Sequence, residues 1–317
     1  MIVVVTPNPA VDVTYRVDEQ RVGTTQRVRS VDRLPGGKGL NVARVLAGEG
    51  VETHSVLPLG GSAGAWVADA VAALGLAATA VPVPGETRTT VTVVDDHAHP
   101  TMFGEPGPSV PPDAWLPVDQ AVRALLPTAE ALVVSGSLPV GTAPGVVTPW
   151  IADAVAAGVL VVADCSGPAL LAAADAGVTV CKPNREELAE ATGFPDERDG
   201  ALALLDRGAG MVVVSRGADG IAAHTRTEVV EVPAVPGVTG NPTGAGDAAT
   251  AGLVLALTRD VPAPDRPAAV DSADLTTALR TAAAFGAAAV LRPVAGEVDR
   301  AAVHRFLTDT EPTRSTA

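Results

Sequence analysis

The residues with the most chemistry to offer lie late in the chain, in Gly240-Asn-Pro-Thr-Gly-Ala-Gly-Asp247. Proline and three glycines forbid regular structure before Asp247, and residues 247–258 then read as a buried helix with small residues in its first turns. A glycine loop that ends at a helix start aims unpaired backbone N–H groups and the positive dipole end at one spot. Such a spot suits an anion, typically a phosphate. An aspartate beside an already bound phosphate would repel it, so Asp247 fits better next to a group that loses a proton. It is therefore a candidate general base, with neighbouring amides stabilising charge on a phosphoryl group in transfer. Plainer readings compete. Aspartate is a favoured helix N-cap. Gly244-Ala-Gly246-Asp-Ala-Ala249 also fits a loose dinucleotide fingerprint, but no clear strand precedes it and its acid would lie against the pyrophosphate. No Gly-Lys-Ser/Thr follows, which removes a Walker loop. On the octet alone, catalysis and capping both stay open.

Four other constellations carry a functional and a structural reading side by side. Gly36-Gly-Lys38-Gly39 permits close backbone approach and supplies one cation, or is a tight turn with a surface lysine. Gly85-Glu-Thr-Arg88 puts an arginine at the start of a flap, or in a surface ion pair. Asn184-x-x-Glu187 is spaced as a capping box; alternatively both side chains face a cleft and hold water around Mg²⁺, which usually keeps several waters. Ser215–Gly220 is a plain turn or a loop passing under a nucleotide.

The whole chain bounds these readings. At 317 residues it can bury a large core. A net charge of −14 argues against nucleic acid and requires that any anionic substrate be held by a few local cations. Two cysteines, Cys165 and Cys181, give neither a disulfide framework nor a metal quartet and read as small core residues of a cytoplasmic protein. The first apolar run is halted by Pro7, and the most apolar helical run, 282–291, falls short of the ~20 residues of a membrane span.

The elements that must position these residues alternate. Strands are expected at 2–6, 55–59, 132–134, 159–163, 178–182 and 211–214, with short strand-like pieces at 221–223 and 229–232. Helices are expected from Asn41 (which can cap its own helix), at 65–74, 149–157, after Asn184, and at 201–207. Two helices follow the octet, separated by a polar, proline-rich connector at 263–274, and the tail from Thr308 reads as disordered. Such alternation means a parallel sheet covered on both faces. Glycine- or serine-rich turns after several core strands predict one cleft at the carboxyl ends. Alternating stretches near 12–31 and 88–103, with few core residues and the latter read as antiparallel edge strands, predict a lid over it.

Taken together and in order, these pieces resemble the ribokinase-like PfkB carbohydrate kinases, in the branch acting on phosphorylated ketohexoses. The matching residues are Thr6-Pro-Asn-Pro-Ala-Val-Asp12, Gly36-Gly-Lys-Gly-Leu-Asn-Val-Ala43, Gly85-Glu-Thr-Arg88 and Ser135-Gly-Ser-Leu-Pro139. They continue with Asp164-Cys-Ser-Gly167, Lys182-Pro-Asn-Arg-Glu-Glu-Leu188, Val214-Ser-Arg-Gly217 and Gly244-Ala-Gly-Asp247, so the resemblance spans nearly the whole chain. It implies a Rossmann-type three-layer α/β/α sandwich with a small β-sheet lid, one kinase domain over residues 1–307. It implies Asp247 as the base, with Gly244, Ala245 and Gly246 supplying the anion hole. Asp12, Gly37 and Asn41 would bind sugar hydroxyls, and Lys38, Arg88 and Arg27 the phosphate already on the substrate. Lys182, Asn184, Ser215, Gly217 and Gly220 fall on the ATP side, with Glu187 in the Mg²⁺ shell. The implied reaction takes fructose 1-phosphate to the bisphosphate, with tagatose 6-phosphate or fructose 6-phosphate as alternative substrates and a catalytically silent sugar-phosphate binder as a remoter one. Homodimerisation through the lid is implied too. The chain departs from the family pattern at Asn241-Pro242-Thr243, which bears on monovalent-ion activation, and at Arg216, which bears on nucleotide contacts.

Overall fold

The structure, a computed structural model, describes residues 1–95, 100–258 and 272–309. In chain order the first strands are β1 (Ile2–Val5), β2 (Ala10–Arg16), β3 (Ser30–Gly36), β4 (Thr53–Leu59), β5 (Ala77–Pro82), β6 (Arg88–Val94) and β7 (Thr101–Gly104). Then come β8 (Ala131–Ser135), β9 (Leu160–Asp164), β10 (Val180–Cys181), β11 (Met211–Ser215), β12 (Ile221–His224) and β13 (Val229–Val232). The helices are α1 (Lys38–Gly48), α2 (Gly61–Ala73), α3 (Leu116–Leu125), α4 (Thr148–Ala156) and α5 (Pro168–Asp175). They end with α6 (Arg185–Thr192), α7 (Glu197–Arg207), α8 (Ala245–Thr258), α9 (Ser272–Val290) and α10 (Arg300–Asp309).

β1 is four apolar, β-branched residues with no exposed surface, a pattern that needs helices on both faces. It sits inside a nine-stranded sheet of order β13-β12-β11-β10-β9-β8-β1-β4-β5, parallel except at β12 and β13. Alternate residues serve opposite layers, as a two-residue period requires. Val3 and Val5 join Trp150, Leu170 and Leu204 from α4, α5 and α7. Ile2 and Val4 join Leu46, Leu253 and Phe285 from α1, α8 and α9. The result is the expected three-layer sandwich. From β1 the chain first builds outward to β4 and β5, then returns to β8 on the other side. That reversal opens a crevice beyond the carboxyl ends of β1 and β8, where open α/β sheets bind ligands.

A second sheet, β3-β2-β6-β7, rests on α2 through Val11 and Val13, which pack with Leu57, Leu59, Val67 and Val71. It is the expected lid, and β6 and β7 are antiparallel as the sequence suggests. Its central pair, β2 with β6, is parallel, which the sequence reading does not contain.

Other departures have simple causes. α1 begins at Lys38, not Asn41, because Gly37 (φ 102°) is the N-cap and Asn41 already lies within the helix. β5, α3 and α5 are absent from the sequence reading; β5 and α5 are rich in alanine, which marks neither a strand period nor a helix face. Among the described residues three helices, α8 to α10, run from the octet onward rather than two, and α9 already covers 272–274. The rest of the expected connector lies outside the described residues. α10 runs through Thr308 to Asp309, so the expected disordered tail begins inside a helix; residues 310–317 also lie outside the described ones. Among the described residues no helix is long and apolar enough to cross a membrane.

Candidate active site

Asp247 is the third residue of α8, and its side chain turns inward with 7% of the residue exposed. The carboxylate accepts a hydrogen bond from Asn41 Nδ2 at 2.9 Å. The N-cap reading of Asp247 therefore does not describe it. Small residues make this placement possible: α8 packs so closely on α9 that a Cβ at Gly252 would lie 2.9 Å from Phe285. Burial first, then the negative charge of Asp164, push the Asp247 pKa up to about 7, against the opposing pull of Lys38, Asn41 and Lys182. A carboxyl poised there exchanges protons at neutral pH.

Asp164 ends β9 and anchors a compact ionic cluster. Lys182 Nζ lies 3.3 Å from one of its oxygens and Lys38 Nζ 3.5 Å from the other, while Thr250 Oγ1 donates at 2.7 Å. Burial alone would raise the Asp164 pKa; Lys182, Lys38 and Thr250 together hold it below the ordinary value. Lys38 also donates to Glu187 Oε1 at 2.9 Å. Asp164, against the cost of burial and with help from Glu187, keeps this ammonium well above the usual lysine range. Glu187 reaches Lys38 because α6 starts with a complete capping box: Asn184 Oδ1 accepts from the Glu187 amide, and Glu187 Oε2 from the Asn184 amide. The capping box is thus present, and both of its residues also line the cavity described below.

On the lid side, Asp12 of β2 sits against the glycine loop. A Cβ on Gly36 would fall 2.0 Å from Asp12 Oδ2, so only glycine leaves room for that carboxylate. Desolvation raises the Asp12 pKa, opposed by the Gly37 amide, Arg88, Arg44 and Thr90. Arg88, at the start of β6, donates to Asn8 O, Thr90 Oγ1 and Glu105 O at 3.1–3.3 Å. The guanidinium is thereby fixed in direction before any ligand arrives.

These groups meet in one cavity of about 580 Å³. Asp12, Gly37, Lys38, Asn41 and Arg88 line it from the lid and α1; Lys182, Asn184, Glu187 and Ser215 from the strand ends; Gly244, Gly246 and Asp247 from the octet. Four sequence candidates do not line it. Arg27 is exposed in the connection between β2 and β3, and Ala245 lies behind its glycine neighbours. Gly217 and Gly220 shape the turn after β11, where a Cβ at Gly220 would lie 2.1 Å from Val232 O. Arg216 is bound to Glu197 and Glu231 and does not line the cavity either. Conversely, Asp164, Arg44, Thr90 and Ser137 line the cavity without having been assigned a role from sequence. Asp164 was legible only as part of a motif, and Arg44 only as the residue three places after Asn41 on the same helix face.

The site fits what phosphoryl transfer brings. A Cβ at Gly246 would meet nothing within 4 Å, so the space before the helix start is open to a phosphoryl group. Among the described residues no three acidic, histidine or cysteine side chains form a metal cage. One or two carboxylates with waters and substrate phosphates are the usual Mg²⁺ donor set, and Glu187 with Asp164 matches it.

The pattern of the pfkB family carbohydrate kinase matches residues 5–300. Among solved structures, phosphofructokinase-2 from Escherichia coli in complex with potassium is 26% identical, with 97% of this chain and 98% of that one covered and a TM-score of 0.83. The same enzyme in complex with fructose-6-phosphate is similar at 26% identity over the same shares, TM-score 0.81. A possible 1-phosphofructokinase from Thermotoga maritima, 23% identical over 97% of both chains, shares the fold with a TM-score of 0.82. With a buried carboxylate, a glycine turn and paired lysines around one cavity, the chain belongs to the pfkB family of carbohydrate kinases, phosphotransferases that act on an alcohol group.

Proposed function

We propose that this kinase, as a single domain over residues 1–307, transfers the γ-phosphoryl group of ATP to a ketohexose monophosphate, yielding the bisphosphate. Fructose 1-phosphate is the first choice of substrate. The observation that carries the reading is the buried Asp247 carboxyl, with a pKa near 7, beside an open glycine turn. Asp247 takes the proton of the sugar hydroxyl as its oxygen attacks the γ-phosphorus. The amides of Gly244 and Gly246 meet the negative charge on the migrating group, whereas the Ala245 amide already donates to Pro242 O at 3.1 Å. Little covalent help is needed in such a transfer; positioning and charge stabilisation do most of the work.

Two cations divide the phosphates. Arg88, pre-set by three acceptors on the lid side, grips the phosphate already on the sugar, while Asp12, Gly37 and Asn41 take its hydroxyls. Lys38, held between Glu187 and Asp164, is better placed for the phosphoryl group in transfer than for the sugar phosphate. Arg27, exposed outside the cavity, has no part in binding within one subunit. Lys182, Asn184 and Ser215 border the triphosphate side. Glu187, with Asp164, would hold Mg²⁺ through its water shell, and the ion would supply charge neutralisation for the phosphates.

A second reading, fructose 6-phosphate as acceptor, is favoured by the 26% identity to a phosphofructokinase-2 solved with that sugar. Tagatose 6-phosphate offers the same chemistry. A panel of the three ketohexose phosphates with MgATP, read by ADP release, separates them: the highest kcat/KM is expected on fructose 1-phosphate. A lid-to-lid homodimer in the cytoplasm completes the proposal, supported by Met102 and Phe103, both 62% exposed on β7, and by the buried free thiols.

A further inference from the structure

From Val290, the last residue of α9, to Glu297, the chain runs along the octet and touches it at Asn241 and Gly244. Asn241 donates its amide N–H to Val290 O at 2.9 Å and its side-chain Nδ2 to Pro293 O at 3.1 Å. Gly244 packs so tightly on Ala295 that a Cβ there would lie 2.7 Å from the Ala295 Cβ. On its other side this strap is held by Arg44 of α1. Arg44 Nη1 donates to Ala295 O at 2.9 Å, and Nη2 lies 3.7 Å from Glu297. The Arg44 side chain is 9% exposed, and Gly296 (φ 77°) leaves it room, since a Cβ there would come within 2.7 Å of Nη1. Arg44 follows Asn41 by three residues, so both project from one face of α1. One reaches Asp247; the other reaches the strap behind Gly244.

We propose that Arg44 is a positioning residue for phosphoryl transfer: through Ala295 it fixes the distance between the anion-hole glycines and the Asn41–Asp247 pair. The chain of contacts is continuous, from guanidinium to Ala295 carbonyl, from Ala295 Cβ to Gly244, and from Gly244 to the amides beside Asp247. Neither lysine of the ionic cluster takes part in it. The same geometry offers a competing role, because Arg44 also lines the cavity and senses the charge of Asp12. A substrate-binding arginine would act on sugar affinity; a positioning arginine acts on turnover. The inference rests on Asp247 and the glycine turn being the centre of transfer.

The test compares Arg44→Met, Arg44→Lys and Asn241→Ala with the wild-type enzyme on whichever acceptor of the sugar-phosphate panel the wild type turns over. The choice of acceptor and this inference therefore fail separately. Arg44→Met is expected to lower kcat by about 10- to 100-fold, the cost of a misplaced reacting group, with KM for ATP and sugar phosphate within about twofold. Arg44→Lys, which retains a donor for Ala295 O, is expected to recover part of the loss. Asn241→Ala loosens the strap without touching α1; it should also lower kcat, and should combine with Arg44→Met less than multiplicatively. Rates are taken per folded molecule by circular dichroism. An unchanged kcat in Arg44→Met, or a loss confined to sugar-phosphate KM, overturns the proposal. Should Arg44→Met fail to fold, an unchanged kcat in Asn241→Ala overturns it equally.

Discussion

Asn41 Nδ2 lies 2.9 Å from Asp247 Oδ2, a buried hydrogen bond between residues 206 positions apart. It joins the first glycine loop to the second and is one of the forces that keep the Asp247 pKa from rising further. The base must be ionised to accept a proton, so kcat is expected to fall as pH drops through about 7. Asn41→Ala removes a bond that favours the charged form, and the acid limb of its kcat–pH profile should move to higher pH. An unmoved limb would show that the bond does not tune the base.

Asp247→Asn should cut turnover by at least ~10²-fold while leaving ATP and sugar affinity in place. The same variant has a stability signature. The fold raises this pKa from 3.8 to about 7, so it favours the neutral acid. That preference contributes fully below the unfolded-state value and is lost as pH rises through about 7. Asp247→Asn should therefore be more stable than wild type at pH 8 by on the order of a few kcal/mol, melting at a higher temperature, and lose that advantage by about pH 4. Thermal melts at the two pH values decide it.

The two cations should separate kinetically. Arg88→Ala is expected to raise sugar-phosphate KM by at least ~10-fold, since it removes a charge-assisted anion contact. Lys38→Met should lower kcat with a smaller effect on sugar KM, and Arg27→Ala should change neither in an isolated subunit. Steady-state kinetics with both substrates varied would expose a reversed assignment.

Glycines of the octet make a matched pair. Gly246→Ala meets no atom and sits in a helix, where alanine is favoured by about 1 kcal/mol, so its melting temperature should hold or rise. Its new methyl nevertheless enters the space reserved for the phosphoryl group, and kcat/KM should fall. Gly244→Ala is strained by φ 81° and by Ala295, and should lose about 1–3 kcal/mol of stability.

Phe103→Asp combined with Met102→Asp places charge on exposed apolar residues of β7. If lids pair in solution, light scattering should report a monomer for this variant at concentrations where wild type is dimeric.

Much of this architecture was legible because β1, β8, β9 and β11 are short runs of fully buried β-branched and apolar residues, which have no other stable home. Alanine-rich β5 and α5 were silent because alanine fits either structure and buries little. The parallel pairing of β2 with β6 was hidden since an alternating pattern is the same whichever way the partner runs. Most candidate residues within a motif line the one cavity, because glycine turns and helix starts leave few options for direction. What the motifs could not give is contact between distant segments, such as Lys38 turning to Asp164 and Glu187. Arg27, a cation in a long polar connection with no period to fix where it points, lies exposed outside the cavity.

In the small sheet, Ala10 stands opposite both Gly36 and Arg88. Three chain crossings thus enter or leave the lid along a single row. Arg88 lies on that row and Asp12 two residues along β2, whereas Arg16, Val31 and Val93 lie near the rim. A rotation about that row would sweep the rim through the largest arc and displace Arg88 and Asp12 least. On the proposed roles of Arg88 and Asp12, such a movement would leave the residues assigned to the sugar phosphate nearly in place while the rim travels.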